Sequence, residues 1–344
     1  MSCYRRHLPT RKGSLAWRLA LALVGTVVFA AIMAWGSWLK MPGRSHSGPL
    51  EPLSPEAQEL SRALEHDVRV LSVDIGERNV GRPEGLARAA EHVEQALGRS
   101  GLRVGVQRYE VAGVECKNLE VELMGRERPN EIVLVGAHYD SAPGTPGADD
   151  NASGTAALLQ IAARLVRRGP LARSVRLVAF VNEEPPHFQT ADMGSWRHAK
   201  RARERGEQIV AMLSLESIGY FSDAEGSQKY PPPLGFFYPS RGDFIGFVGN
   251  PASKELVRRA LGAFRENARF PSEGAAVPGL LPGVGWSDHW AFWQEGFPAI
   301  MITDTAPFRN PHYHAASDTP ERLDFERLAR VVLGVEHVVT ELAR

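Results

Sequence analysis

Short apolar runs alternate with helical stretches through the middle of this 344-residue chain. That alternation limits the fold more than any other feature of the sequence. Glu131–Ala137, with Ile132–Val135 at its centre, reads as a strand, and Thr155–Arg168 follows with helical periodicity. Val175–Val181 is a second apolar strand, a helix follows around Gly194–Arg205, and Ile209–Leu215 is a third strand. Strands that alternate with helices form βαβ units and a mostly parallel sheet. The expectation is an α/β fold, a three-layer α/β/α sandwich around a mostly parallel, mixed central sheet. Upstream, residues 56–100 are helical in two pieces broken around Gly76–Pro83, and Leu102–Val111 and Asn118–Met124 alternate as strands. Downstream, strands are expected at Gly235–Tyr238, Phe244–Val248 and Ala299–Thr303, and a final amphipathic helix from about Asp324 to Leu342. There is no internal repeat, so residues 56–344 read as one domain.

The N-terminus is of another kind. Leu19–Leu39 is an uncharged run of 21 residues, long enough to cross a bilayer core as a helix, and Trp17, Trp35 and Trp38 fall near its ends. Arg5, Arg6, Arg11, Lys12 and Arg18 precede the run, Lys40 and Arg44 follow it, and no acid occurs before Glu51. The pattern predicts a single-pass membrane protein. Residues 1–18 would be a cytoplasmic basic tail, 19–39 a transmembrane anchor and 40–55 a linker rich in Pro, Gly and Ser. Residues 56–344 would be the folded body on the periplasmic or extracytoplasmic side. A cleaved signal peptide would have an apolar core of about 7–15 residues and a small-residue cleavage site; this run is longer and ends in Ala-Trp-Gly-Ser-Trp-Leu.

The 40 basic and 40 acidic residues cancel overall, but seven of the basic ones lie in residues 1–50, which leaves the rest at net −7. A body this acidic gives no reason to expect a nucleic-acid partner. Cys3 and Cys116 would lie on opposite sides of a membrane, so no intrachain disulfide is expected.

Candidate functional residues stand where an open α/β sheet gathers its ligands, at the carboxyl ends of strands. His138, in Gly-Ala-His-Tyr-Asp-Ser, follows the first apolar strand. A neutral imidazole is a good zinc ligand, and Asp140 suits the role of fixing its tautomer through the other nitrogen. Gly147-Ala-Asp-Asp-Asn-Ala-Ser-Gly154 sets two acids in a tight turn that opens a helix, where one of them can cap the helix instead. Its Asn151-Ala-Ser triplet matches a glycosylation sequon and is read as a chance match. Glu183 and Glu184 follow the second strand. Adjacent side chains point in different directions, so one carboxylate can bind a metal while its neighbour reaches a water. Glu216 ends Met-Leu-Ser-Leu-Glu, and His314 lies in His312-Tyr-His-Ala-Ala-Ser-Asp-Thr319, with His312 as its competitor. Each of these has an ordinary structural explanation when taken alone.

Together and in this order, the five residues resemble the co-catalytic di-zinc aminopeptidase family. That family includes bacterial leucyl aminopeptidases and glutamate carboxypeptidase-like enzymes, and glutaminyl cyclases share its fold. The likeness covers roughly residues 60–344 and fills all five metal positions. It implies two zinc ions per chain, with Asp150 bridging them, His138 and Glu216 completing one, and Glu184 and His314 the other. It implies Glu183 as the general base that activates a water between the metals, and hydrolysis of terminal bonds in a peptide substrate, from the amino end rather than the carboxyl end. Asp288, in Trp-Ser-Asp-His-Trp-Ala-Phe, matches a motif that supports these sites; Tyr220 and His187 are candidate substrate contacts. Two departures stand out. Glu216 occupies a position where many members have aspartate. Residues Pro185 to Met193 intervene before Gly194-Ser195, where many members follow the glutamate pair closely with Gly-Leu-x-Gly-Ser, and this longer loop is expected to border the substrate pocket. The Pro/Gly-rich apolar segment Phe270–Trp286 either lines a pocket or is a packed surface loop. A glutaminyl cyclase-like acyltransferase and a non-catalytic binding protein of the same fold are the alternatives; a complete ligand set argues against both.

Overall fold

A computed structural model describes residues 13–344, without the side chains of residues 13–14, 30–32 and 34–37. Residues 1–12, and with them most of the expected basic tail and Cys3, lie outside the described residues. The chain divides into two units, residues 1–40 and 41–344. In the first, α1 (Gly13–Trp38) is a single 26-residue helix, and its described large apolar side chains between Leu15 and Met33 are exposed. The membrane span expected over residues 19–39 is not supported: among the described residues, no helix is long and apolar enough to cross a membrane.

In the second unit, α2 (Pro55–Arg69) and α3 (Pro83–Gly98) precede a hairpin of β1 (Gly105–Val111) and β2 (Val114–Leu123). The alternating core follows as β3 (Arg128–His138), α4 (Gly154–Arg168), β4 (Arg173–Phe180), α5 (Gly194–Glu204) and β5 (Gln208–Glu216). After it come β6 (Ile245–Gly249), α6 (Lys254–Asn267), β7 (Ser272–Ala276), α7 (His289–Gln294), β8 (Ala299–Thr303), α8 (Ala306–Arg309) and α9 (Phe325–Leu342). All eight strands join one sheet in the order β1-β2-β4-β3-β5-β8-β6-β7. The central four, β4, β3, β5 and β8, are parallel. The hairpin adds antiparallel at one edge, and β6, antiparallel to β8 and parallel to β7, closes the other. The mostly parallel, mixed sheet is as expected.

Side-chain alternation builds the three layers. Along β3, Val133, Val135 and Ala137 enter the large core shared with α2, α3, α4, α6 and α9, while Ile132 and Leu134 enter a smaller one with α5 and α7. A strand covered on both faces reads as a continuous apolar run. The break before α3 is physical as well: the helical chain runs on through Val70–Ile75 and stops at Gly76, whose φ is +79°. At the other end, the Asp324 side chain caps α9 by accepting from the Arg327 N–H.

Two downstream expectations need correction. Gly235–Tyr238 is no strand; the chain makes a single turn at Leu234–Phe236. Pro231, Pro232 and Pro233 come just before it, and proline cannot donate to a ladder. Conversely, Ser272–Ala276 is strand β7, paired along β6, although Ser-Glu-Gly-Ala-Ala lacks the β-branched and aromatic residues that mark strands. The segment read as a linker lies along α6 and β7. Arg265 donates to the Pro42 carbonyl at 2.9 Å, and the Ser45 hydroxyl accepts from the Ser272 N–H at 2.9 Å.

Candidate metal centre

His138 and Glu216 are the last residues of β3 and β5; Asp150 and Glu184 lie in the loops after β3 and β4, and His314 between α8 and α9. The fold brings all five together. Asp150 turns one carboxylate oxygen to each side: Oδ1 is 3.4 Å from His138 Nε2 and Oδ2 is 3.0 Å from His314 Nε2. Glu216 Oε2 lies 3.3 Å from His138 Nε2, and Glu184 Oε2 lies 3.1 Å from His314 Nε2. The residues thus fall into two groups that share Asp150. Potential ligand atoms of His138, Asp150 and Glu184 lie within 4.8 Å of one another. Glu183 Oε2 reaches to 3.7 Å from His138 Nε2.

The donor set fits a metal. His138 is fully buried, yet neither ring nitrogen makes a hydrogen bond among the described residues, and Glu184 Oε1 is buried without a partner. Buried polar atoms are seldom left so. Imidazoles and carboxylates converging in this way suit zinc. The electrostatics agree. Burial disfavours the charged imidazole of His138, but the carboxylates of Glu216, Glu183, Asp140 and Asp150 hold its pKa well above the usual value. Against the same burial, Asp150 and Glu184 push His314 up to about 10. Burial would raise Asp150, but His138 and His314 hold it below the usual carboxylate range. Burial pushes Glu183 well up, against His138 and helped by Glu216 and Glu184, and it pushes Glu184 up to about 8. Crowded acids retain protons here that a dication would displace.

Supporting bonds fix each ligand segment. The Asp140 carboxylate accepts the N–H groups of Glu183 and Glu184 at 3.3 and 3.2 Å, and its Oδ1 lies 3.5 Å from His138 Nδ1. Asp318 accepts the N–H groups of Asp149 and Asp150 at 3.0 and 3.2 Å. Asn151 donates to the Leu215 carbonyl at 2.8 Å and accepts from the N–H groups of Gly154 and Ser217, each at 3.1 Å. It therefore ties the acidic turn to the end of β5, and its buried amide is taken up by these bonds, which takes the sequon off the surface. Asp149 turns away from the ligands and accepts from the Gly219 N–H and the Asn310 side chain, both at 2.9 Å.

Arg78 was not foreseen. It is fully buried, and its guanidinium donates to the carbonyls of Tyr139 at 2.6 Å, Gly147 at 2.7 Å and Gly76 at 3.1 Å, and to that of Pro146. It braces both the His138 segment and the Asp150 turn. Burial lowers its pKa to about 10, against the pull of Asp140, Asp318 and Asp150. Asp318 sits within the motif around His314, a signal that could have found it; nothing in a single sequence marks Arg78. Three non-glycine residues at the site also have left-handed backbones: Asn182 (φ +61°) before Glu183, Ser217 (φ +45°) after Glu216, and His314 itself (φ +54°). Such conformations concentrate where a fold over-determines a functional position.

The other candidates are placed less centrally. His312 bonds Ser317 through Nδ1 at 2.8 Å, whereas His314 faces Asp150 and Glu184, which leaves His314 as the ligand candidate. Asp288 is buried just before α7, and burial, against His138 and with Glu216 adding, pushes its pKa up to about 7. Tyr220 meets Asp304 through its N–H and His312 through its ring. His187 donates its N–H to the Glu184 carbonyl at 2.9 Å and accepts from Thr190, so its backbone shapes the turn after the glutamate pair.

A cavity of about 100 Å³ opens beside Glu216 and Tyr313. Its floor is the sheet face of β6, β7 and β8, where Val248 pairs with Ala275 and Met301. Tyr230, Tyr238, Phe244 and Phe308 line it. The two tyrosine hydroxyls donate away, to the carbonyls of Pro239 and Gly274 at 2.7 and 2.8 Å, and leave their rings to the cavity. Residues 277–286 form another wall, so the apolar segment Phe270–Trp286 divides between strand and pocket lining. The loop 185–193 joins this wall at Gln189, which donates to the Gly285 carbonyl at 3.2 Å.

The profile of peptidase family M28 matches residues 118–339. The uncharacterized protein YfbL of Escherichia coli (strain K12) is 41% identical over 281 residues, covering 79% of this chain and 85% of that protein. BSAP, a zinc aminopeptidase from Bacillus subtilis, superposes with a TM-score of 0.61 at 15% identity, over 82% of this chain and 94% of its own. Tannerella forsythia glutaminyl cyclase does so with a TM-score of 0.60 at 23% identity, over 83% of this chain and 98% of its own. At such identities the two structures speak for the fold.

Proposed function

The chain belongs to peptidase family M28, and from that membership we propose a zinc-dependent exopeptidase that removes residues from the amino ends of peptides. As a family member it is a metallopeptidase; the finer reading rests on the geometry of its own side chains. The observation that carries it is the two-sided carboxylate of Asp150, set between His138 with Glu216 and His314 with Glu184. That arrangement supports two zinc ions, held by those five residues. When bound, zinc polarises a carbonyl and brings the pKa of a water toward neutrality.

The protein's part is proton handling and positioning. Glu183, held in reach through Asp140, takes a proton on its carboxylate from the attacking water. As the water oxygen bonds to the scissile carbonyl carbon and the C–N bond breaks, Glu183 returns that proton to the leaving nitrogen. The apolar cavity receives the side chain of the terminal residue. Apart from Glu216, already taken as a zinc ligand, its charged lining residues are one acid, Glu273, and one base, Lys229. The preference for the amino end therefore rests instead on family membership and on relatives named as leucine aminopeptidases. For localisation, the uncharged run and its basic flanks support a membrane-held chain with residues 41–344 on the outer side. Carbonate extraction of cell membranes tests this: the full-length chain should stay with the membrane, and release into the soluble fraction overturns it.

Peptides with free, acetylated and glutamine amino ends test the activity. The first residue should leave an unblocked peptide, and acetylation should stop it. Cyclisation of the glutamine peptide without any hydrolysis would instead assign a glutaminyl cyclase, and a chain that neither holds zinc nor turns over any peptide would be a binding protein.

A further inference from the structure

Glu216 is held differently from the other carboxylate ligands. Both of its oxygens accept from hydroxyl groups: Oε2 from Ser287 at 2.7 Å and Oε1 from Ser217 at 3.1 Å. Ser287 Oγ also lies 2.8 Å from Ser214 Oγ. A serine hydroxyl has one proton to give. Ser287 gives its proton to Glu216, so Ser214 is the donor in the second bond. Ser214 and Glu216 are two residues apart on β5 and project from the same face of the sheet. Ser287 comes from the loop before α7, and both serines are fully buried. By contrast, Glu184 Oε1 has no hydrogen-bond partner among the described residues.

We propose that Ser287, backed by Ser214, is a positioning residue for metal binding, which sets the Glu216 carboxylate toward His138 and so governs the His138–Glu216 half of the site alone. The proposal rests on the two-zinc reading above. A glutamate side chain has three torsions to immobilise on binding, and the relay immobilises them in advance. Removing the partner of a ligand typically weakens metal affinity about 10- to 100-fold. The His314–Glu184 half lies outside the relay and should not respond.

Zinc titration of the metal-free protein against a chromophoric chelator tests this. In Ser287→Ala, one of two equivalents should bind about tenfold more weakly or worse, the other as in the parent chain. Ser214→Ala should shift the same equivalent less. Because the Ser214 hydroxyl bonds Ser287 and not Glu216 itself, that variant carries the test if Ser287→Ala fails to fold, and thermal unfolding of the metal-free proteins is the fold control. Unchanged affinity for both equivalents, or equal weakening of both, overturns the proposal. A parent chain that takes up no zinc at all overturns the two-zinc reading, and the proposal with it.

Discussion

Glu183 and Glu184 are neighbours with separate work because Asp140 clamps both N–H groups and lets the two side chains diverge, one to His138 and one to His314. Glu183→Gln keeps the shape and removes the proton acceptor. Turnover should fall by at least about 10²-fold while zinc content, measured by metal analysis, stays that of the parent; retained turnover would give the base to another residue. Arg78 acts at the same scale by another route. Arg78→Met leaves several buried carbonyls without their donor, and urea unfolding of the metal-free protein should show a loss of at least about 3 kcal/mol. The five candidate ligands, which the fold brings together, were marked in the sequence by their residue types, their order and their likeness to a known family, four of them at or after strand ends and His314 between two helices. Arg78 was unmarked, and although Ser287 and Asp318 lie inside the motifs around Asp288 and His314, the roles of all three were hidden because they bond to groups roughly 60 to 170 residues away in the chain.

The strands that deliver the ligands were readable for a related reason. β3, β4 and β5 are covered on both faces, which writes them as apolar runs bounded by polar loops. Where side chains did not carry that signal, the reading failed: β7 is a strand through its register with β6, and the aromatic run after three prolines is a turn. The joint between β2 and α5 makes a prediction about pH. Glu120 pairs with His198 and Arg201, each at 2.9 Å. Burial opposes its charge, but these partners pull its pKa down from 4.5 to about 2. A carboxylate with a depressed folded pKa stabilises above its unfolded pKa and loses that contribution as pH falls toward the folded one. Glu120→Gln should therefore cost about 2 kcal/mol near neutrality, and the difference from the parent should shrink between pH 4.5 and 2 in unfolding measured across that range. A difference independent of pH would mean the pair adds nothing through its charge.

Across the whole second unit, the sheet does two jobs with two ends of one face. On β3, β4, β5 and β8 that face is packed under α5 and α7; on β6 and β7 it floors the cavity beside Glu216. The three-layer plan could be read from strand and helix alternation, whereas the cavity could not, because its walls come from irregular segments far apart in sequence. Val248→Asp puts a charge on the cavity floor, and kcat/KM for peptides with apolar amino ends should fall about 10- to 100-fold, with zinc content unchanged. Equal activity would move the terminal side chain to another pocket. The central claim, that these five side chains make a metal-dependent exopeptidase, is tested most directly by leucine release from an unblocked peptide before and after metal removal. The stripped protein should release none, and zinc should restore release as occupancy approaches two ions per chain. Release that survives stripping, or a zinc-loaded protein that releases nothing, contradicts the account.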